Sequence, residues 1–310
     1  MFKRLLVPLD GSNLAEAAVP VAAYLAQTLA APAILIHVIE RDAPKAVHGQ
    51  RHLTTEDEAC AYLDQIATKY FPGGLQIEPH VHTSAVSDVA DSIVQHVAEY
   101  GSDLIVMCTH GRGGLHRWLF GPIAQQVINL GKTPVLLIRP DKGQALPNFT
   151  CRRLLVPLDG NPDHEQALTV AEALAHIYAA DLHLVSVIQT LDTLSGQRAA
   201  TAKMLPGTTS ALLDLKQKSA AEYLRQHTAH LQAAGLTVTN EVTRGDPAKL
   251  IVRAARQVNA DLIVLGTHGK TSLDAFWSGS ITPKIVGQTQ TPLLLVPCQC
   301  ENPDPENLIV

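Results

Sequence analysis

Arg4-Leu-Leu-Val-Pro-Leu-Asp-Gly11 opens the chain and returns unchanged as Arg153-Leu-Leu-Val-Pro-Leu-Asp-Gly160. Asp103-Leu-Ile-Val106 and Thr109-His-Gly111 return in the same way as Asp261-Leu-Ile-Val264 and Thr267-His-Gly269. Apolar runs repeated with their turns at so long a period mark a tandem duplication. The separation is 149 from Arg4 to Arg153 and 158 from Asp103 to Asp261, so the second copy gains nine residues in between. Thr190 to Ser210 is rich in turn formers and small polar residues, which predicts a longer loop there, or a flap over a site.

Each copy alternates short β-branched runs with stretches of helical period, the pattern of βαβ units around a parallel sheet covered on both faces. The first copy predicts strands at 3–9, 33–39, 75–82, 103–108 and 134–139, and helices at 13–30, 56–70, 86–100 and 122–131. The second predicts strands at 153–158, 182–188, 236–243, 261–266 and 292–297, with helices at 163–180, 208–234, 246–258 and 279–289. Asn13 with Glu16, and Asp163 with Gln166, read as helix N-caps with reciprocal acid or amide partners. The expected units are a first domain over 1–140, a linker over 141–151, a second domain over 152–300 and a poorly ordered tail over 301–310.

Bulk properties narrow the function. The chain has 310 residues, enough for two domains, with 46% hydrophobic and 17% charged residues. Its apolar runs stop at strand length, so no membrane association is expected. Pro8 and Asp10 interrupt the N-terminal apolar run too early for a signal peptide. Five cysteines without a repeating framework fit a reducing compartment, and a cytoplasmic protein beginning at Met1 is expected. Cys298-x-Cys300 lacks the two-residue spacer of redox and zinc motifs. A net charge of −5 disfavours nucleic acid as a partner.

In an open parallel sheet, ligands bind beyond the carboxyl ends of the strands where strand order reverses. Pro157-Leu-Asp159-Gly160 ends the second copy's first strand, where Asp159 would either accept hydrogen bonds from a ribose or adenine group or simply close the turn. Gly266-Thr-His-Gly269 ends its fourth strand and precedes Gly279-Ser280 by nine residues. Glycines let backbone approach an anion, and a helix start with a serine hydroxyl adds donors for phosphate. Lys270, like Arg112, would neutralise phosphate charge or stand solvated. In the first copy, Cys108 replaces Gly266 and Pro122 replaces Ser280, which weakens the anion site while Gly111, Gly113, Gly114 and Gly121 remain. His110 and His268 lack a second ligand at a recognisable spacing, and His80 and His82 read as half-exposed strand residues, so no metal site is expected. Trp118 and Phe120, like Phe276 and Trp277, read as apolar anchors of the loop.

Leu-Ile-Val-Leu-Gly-Thr-His-Gly-Lys270 followed by Gly279-Ser280 resembles the signature of the universal stress protein family, and both copies match its five-strand, four-helix plan. The resemblance implies two tandem, Rossmann-like, adenine nucleotide-binding α/β sandwiches. It implies that ATP, or ADP or AMP, with or without magnesium, is held by Pro157, Asp159, Val187, Gly266, His268, Gly269, Lys270, Gly279, Ser280, Ile281 and Thr282. It further implies that the last strands of the copies pair as an intramolecular pseudo-dimer, which satisfies two sheet edges. Two such chains could form a homodimer. Three functions remain open: a nucleotide-binding stress sensor or regulator that engages unidentified proteins, a slow ATPase or nucleotidyl-transfer enzyme using Asp274, and a nucleotide-free protein scaffold.

Overall fold

The computed structural model describes residues 1–41, 46–47, 50–71, 73–109, 121–140, 149–194, 196–267 and 281–298. In the first half β1 (Leu5–Pro8) leads through α1 (Asn13–Glu16) and α2 (Val19–Leu29) to β2 (Ala33–Glu40). A small hairpin, β3 (Ala46–Val47) and β4 (Gln50–Arg51), precedes α3 (Glu56–Tyr70) and β5 (Ile77–Val86). Then come α4 (Val89–Tyr100), β6 (Leu104–Cys108), α5 (Pro122–Leu130) and β7 (Val135–Ile138). The second half runs β8 (Arg153–Pro157), a 3-10 turn (Pro162–His164), α6 (Gln166–Tyr178), β9 (Asp181–Ile188), α7 (Gly196–Met204), α8 (Pro206–Ala233) and β10 (Val238–Arg244). It closes with α9 (Pro247–Gln257), β11 (Leu262–Thr267), α10 (Thr282–Val286) and β12 (Leu293–Pro297).

Ten strands form one sheet in the order β10-β9-β8-β11-β12-β7-β6-β1-β2-β5. Every pairing is parallel except the central one, where Leu293, Leu294 and Leu295 lie antiparallel to Leu137, Leu136 and Val135. The expected pairing of the last strands is thus the seam of the molecule. Arg139 reinforces it by donating to the carbonyl oxygens of Val286 (2.9 Å) and Thr289 (3.2 Å). Successive strand residues feed opposite faces, so Leu5, Val7, Leu104 and Val106 join one buried core while Leu6, Ile105 and Met107 join the other. Both cores take residues from both halves. Fully burying each such aliphatic side chain contributes about 1.5–3 kcal/mol.

The repeat extends to local devices. Asp103 accepts from the Lys3 and Arg4 amides, and Asp261 accepts from those of Arg152 and Arg153, tying the start of each fourth strand to its first. Ala30 and Ala179 close corresponding helices with φ of 49° and 48°.

Several local expectations are corrected. Ser12, rather than Asn13, caps α1 by accepting from the Ala15 amide. The expected helix at 13–30 breaks into two, and Pro20, which has no N–H to give, stands in the first turn of the second piece. Asp163 lies within the 3-10 turn, and α6 starts at Gln166 with no side-chain cap bond. The predicted loop around 189–210 contains α7, whose sequence Gly-Gln-Arg-Ala-Ala-Thr-Ala-Lys-Met is dominated by strong helix formers after its first residue. The β3–β4 hairpin was not anticipated. No helix of the described residues is long and apolar enough to cross a membrane. Of the expected linker over 141–151, residues 141–148 lie outside the described residues, as does the expected tail over 301–310.

Candidate functional site

Strand order reverses at β8, which has β9 on one side and β11 on the other. This is the position at which an open α/β sheet forms a crevice beyond its carboxyl ends. Pro157 ends β8 half-buried, and the next amide, Leu158, donates to Val185 of β9 at 2.8 Å. The Asp159 carboxylate then accepts from the Asn161 amide at 3.0 Å, so its turn role is real. The carboxylate nevertheless stays 59% exposed, with lone pairs to spare. A Cβ added to Gly160 would meet none of the described residues within 4 Å. Val187 and Ile281 are half-buried against the same core, on one face of the sheet, and Thr282 is buried at the start of α10. His268, Gly269, Lys270, Gly279, Ser280 and Asp274 lie outside the described residues, as do Gly111, Gly113 and Gly114.

Gly266 is occupied differently from the reading of its sequence. A Cβ there would lie 3.0 Å from the His164 carbonyl oxygen and 3.2 Å from its Cα, so the space is filled by the chain's own 3-10 turn. The His164 ring explains the approach. Its Nδ1 donates to Asp159 at 2.8 Å, and the ring also hydrogen-bonds Cys298, just past β12. Burial alone would lower the His164 pKa; the bonds and charges of Asp159 and Cys298 outweigh it and raise the value to about 10. Conversely, burial would raise the Asp159 pKa, but His164 and the Asn161 amide hold it below the usual value of an aspartate. An Asp159–His164–Cys298 chain of contacts therefore underlies the crevice. In the sequence, His164 stands where the first copy has Ala15, within a stretch, 161–164, that differs from 12–15 at every position.

The first half closes the corresponding crevice. Cys108, at the place of Gly266, directs its sulfur to the Ala15 carbonyl at 3.7 Å, with α1 where the second half has the 3-10 turn. Burial, with Asp10 nearby, pushes this thiol's pKa well up, so it is a packing group. Asp10 accepts from both the Ser12 amide (2.9 Å) and hydroxyl (2.6 Å). Over Gly11 lies Leu53, which would stand 2.9 Å from an added Cβ. Buried His37 on β2 spans the carbonyl oxygens of Leu9 (2.8 Å) and Leu53 (3.2 Å), which holds that cover in place.

The universal stress protein family model matches residues 1–139 and again 150–297. A universal stress protein of Mycolicibacterium smegmatis is 25% identical over 312 residues, spanning 94% of this chain and 96% of the relative. Universal stress protein MJ0531 of Methanocaldococcus jannaschii is 26% identical over 145 residues, spanning 47% of this chain and 81% of that protein. The crystal structure of a universal stress protein from Archaeoglobus fulgidus shares the fold, with a TM-score of 0.69 at 20% identity, over 95% of this chain and 96% of that one. With the repeated segments, the two crevices and a family match to each half, this chain belongs to the universal stress protein family, as a tandem member.

Proposed function

We propose that the chain binds an adenine nucleotide through its second half and acts as a stress sensor or regulator. The observation that carries this reading is the open Asp159-Gly160 turn at the β8 switch point, beside the strand that leads into the Gly266–Ser280 loop. The exposed Asp159 carboxylate suits ribose hydroxyls, and half-buried Pro157 and Val187 offer apolar surface to a base. In this reading Gly269, Gly279 and Ser280 hold phosphate, with His268 and Lys270 beside them and Ile281 and Thr282 at the following helix start. Gly266 serves indirectly, by letting the His164 turn seat Asp159. Pro283 in the first turn of α10 has no N–H, so phosphate donors must come from the residues before it. The bound nucleotide supplies the phosphate charge; the chain's part is to orient it and shield it from water. A cytoplasmic nucleotide pool provides the ligand. Residues 1–140 then serve as the pairing domain and 152–300 as the binding domain.

Calorimetric titration of the full chain with ATP, ADP and AMP tests this. One site per chain is expected. Ser280→Ala should weaken it by roughly 10–100-fold, the worth of a hydrogen bond to a charged group, while Gly121→Ala leaves it unchanged. No binding of any of the three, or two equivalent sites, overturns the reading.

A further inference from the structure

The face of the edge strand β5 toward α4 carries a cluster that the crevice does not use. His80 and His82 share one face of β5, two residues apart, and His96 of α4 packs onto them with ring centroids 4.9 Å and 5.0 Å away. One ring nitrogen from each of the three lies within 4.8 Å of the others. We propose that His80, His82 and His96 form a site for a late first-row divalent transition metal ion of the zinc class.

The hydrogen bonds around the rings favour ligation. His96 Nδ1 contacts the Ser92 carbonyl oxygen at 2.7 Å; a carbonyl only accepts, so Nδ1 carries the hydrogen and Nε2 of the neutral ring keeps its lone pair. His80 Nδ1 lies 2.8 Å from the Tyr100 hydroxyl, which can accept its hydrogen, and the buried Nε2 has no hydrogen-bond partner. Anchoring one ring nitrogen so that the other presents its lone pair is how metal-binding histidines are supported. An unpartnered buried nitrogen otherwise costs stability.

Three imidazoles without a required thiolate suit zinc, copper or nickel, and leave a further position for water or a carboxylate. Glu99 is poised for that position, its Oε2 3.9 Å from His96 Nε2 and its side chain exposed. Tetrahedral bonds of about 2.1 Å place ligand nitrogens about 3.4 Å apart, so modest side-chain rotation closes the cluster.

The fold does not demand these histidines. The strand registers align His80 and His82 with Glu241 and Thr243 of β10, because Ile36 and Val38 correspond to Val185 and Val187. The helix repeat aligns His96 with Ala254. The second half thus builds the same strand and helix with no imidazole at any of the three places.

The test is titration of the chelator-treated, full-length protein with zinc chloride, with cobalt chloride as spectroscopic probe. One zinc per chain, four-coordinate cobalt bands in the visible and a zinc-dependent rise in Tm are expected. His82→Ala, at a half-exposed position, should keep the metal-free Tm and lose roughly a hundredfold or more in zinc affinity, beyond the 10–100-fold typical of losing a supporting partner. Tyr100→Phe should show a smaller loss. If His96→Ala fails to fold, His80→Gln provides the second ligand variant. Absence of zinc binding, or equal affinity in wild type, His82→Ala and His80→Gln, overturns the proposal.

Discussion

Gly11 and Gly160 hold the same place in the two halves, with φ of 85° and 82°, but a Cβ added to the first would meet Leu53, whereas one added to the second would meet none of the described residues within 4 Å. The same contrast recurs at the ends of the fourth strands, where Cys108 faces Ala15 and Gly266 faces His164. The backbone plan was duplicated intact, whereas a few side chains decide whether the crevice beyond it is filled. The first half covers its crevice with its own chain. Among the described residues, the second leaves the turn uncovered and ties the floor beneath it through Asp159, His164 and Cys298.

The contrast breaks hardest at Gly266. Gly266→Ala should cost about 1–3 kcal/mol, the usual penalty for overpacking, because the added methyl meets the His164 backbone. His164→Ala in the same chain should recover part of that cost, since the turn is no longer held down by Asp159 and Cys298. Urea unfolding of the two single variants and the double variant measures the coupling; strict additivity would show that the ring does not hold the turn.

The next test uses proton linkage. The folded His164 pKa, about 10, exceeds its ordinary value of 6.5. Its pairing therefore stabilises fully below pH 6.5, and that contribution drains away as pH rises toward 10. Unfolding midpoints across this range should fall more steeply in wild type than in His164→Gln. Parallel slopes would rule out the charged pair.

The smallest effect is expected at the cover of the first half. Leu53→Ala should cost about 1–2 kcal/mol, less than a fully buried leucine because Leu53 is only half-buried. It should not create a second nucleotide site, since Cys108 and Pro122 remain. Calorimetric stoichiometry checks this, and a rise from one to two sites would mean that Leu53 alone closes the first crevice.

Periodicity and repetition made the strands readable, because they depend on local apolar runs and on a duplicated plan, whereas the seam followed only from the family resemblance. Leu53 over Gly11 was not readable, being 42 positions away and without a motif. His164 differed from Ala15 in plain view, yet its meaning depends on Cys298 arriving from the far end of the half. His80 and His82 were visible as a pair, but His96 joins them only through the packing of α4 on the edge strand, which spacing does not encode. The helix in 196–204 was obscured by the turn formers that flank it.

The lone antiparallel pairing in the sheet reverses strand direction midway across the molecule. The carboxyl ends of the first half's strands therefore point opposite to those of the second, so the two crevices open back to back rather than side by side. No small molecule can bridge them. The leucine-rich ladder between β7 and β12 stands between the two ends.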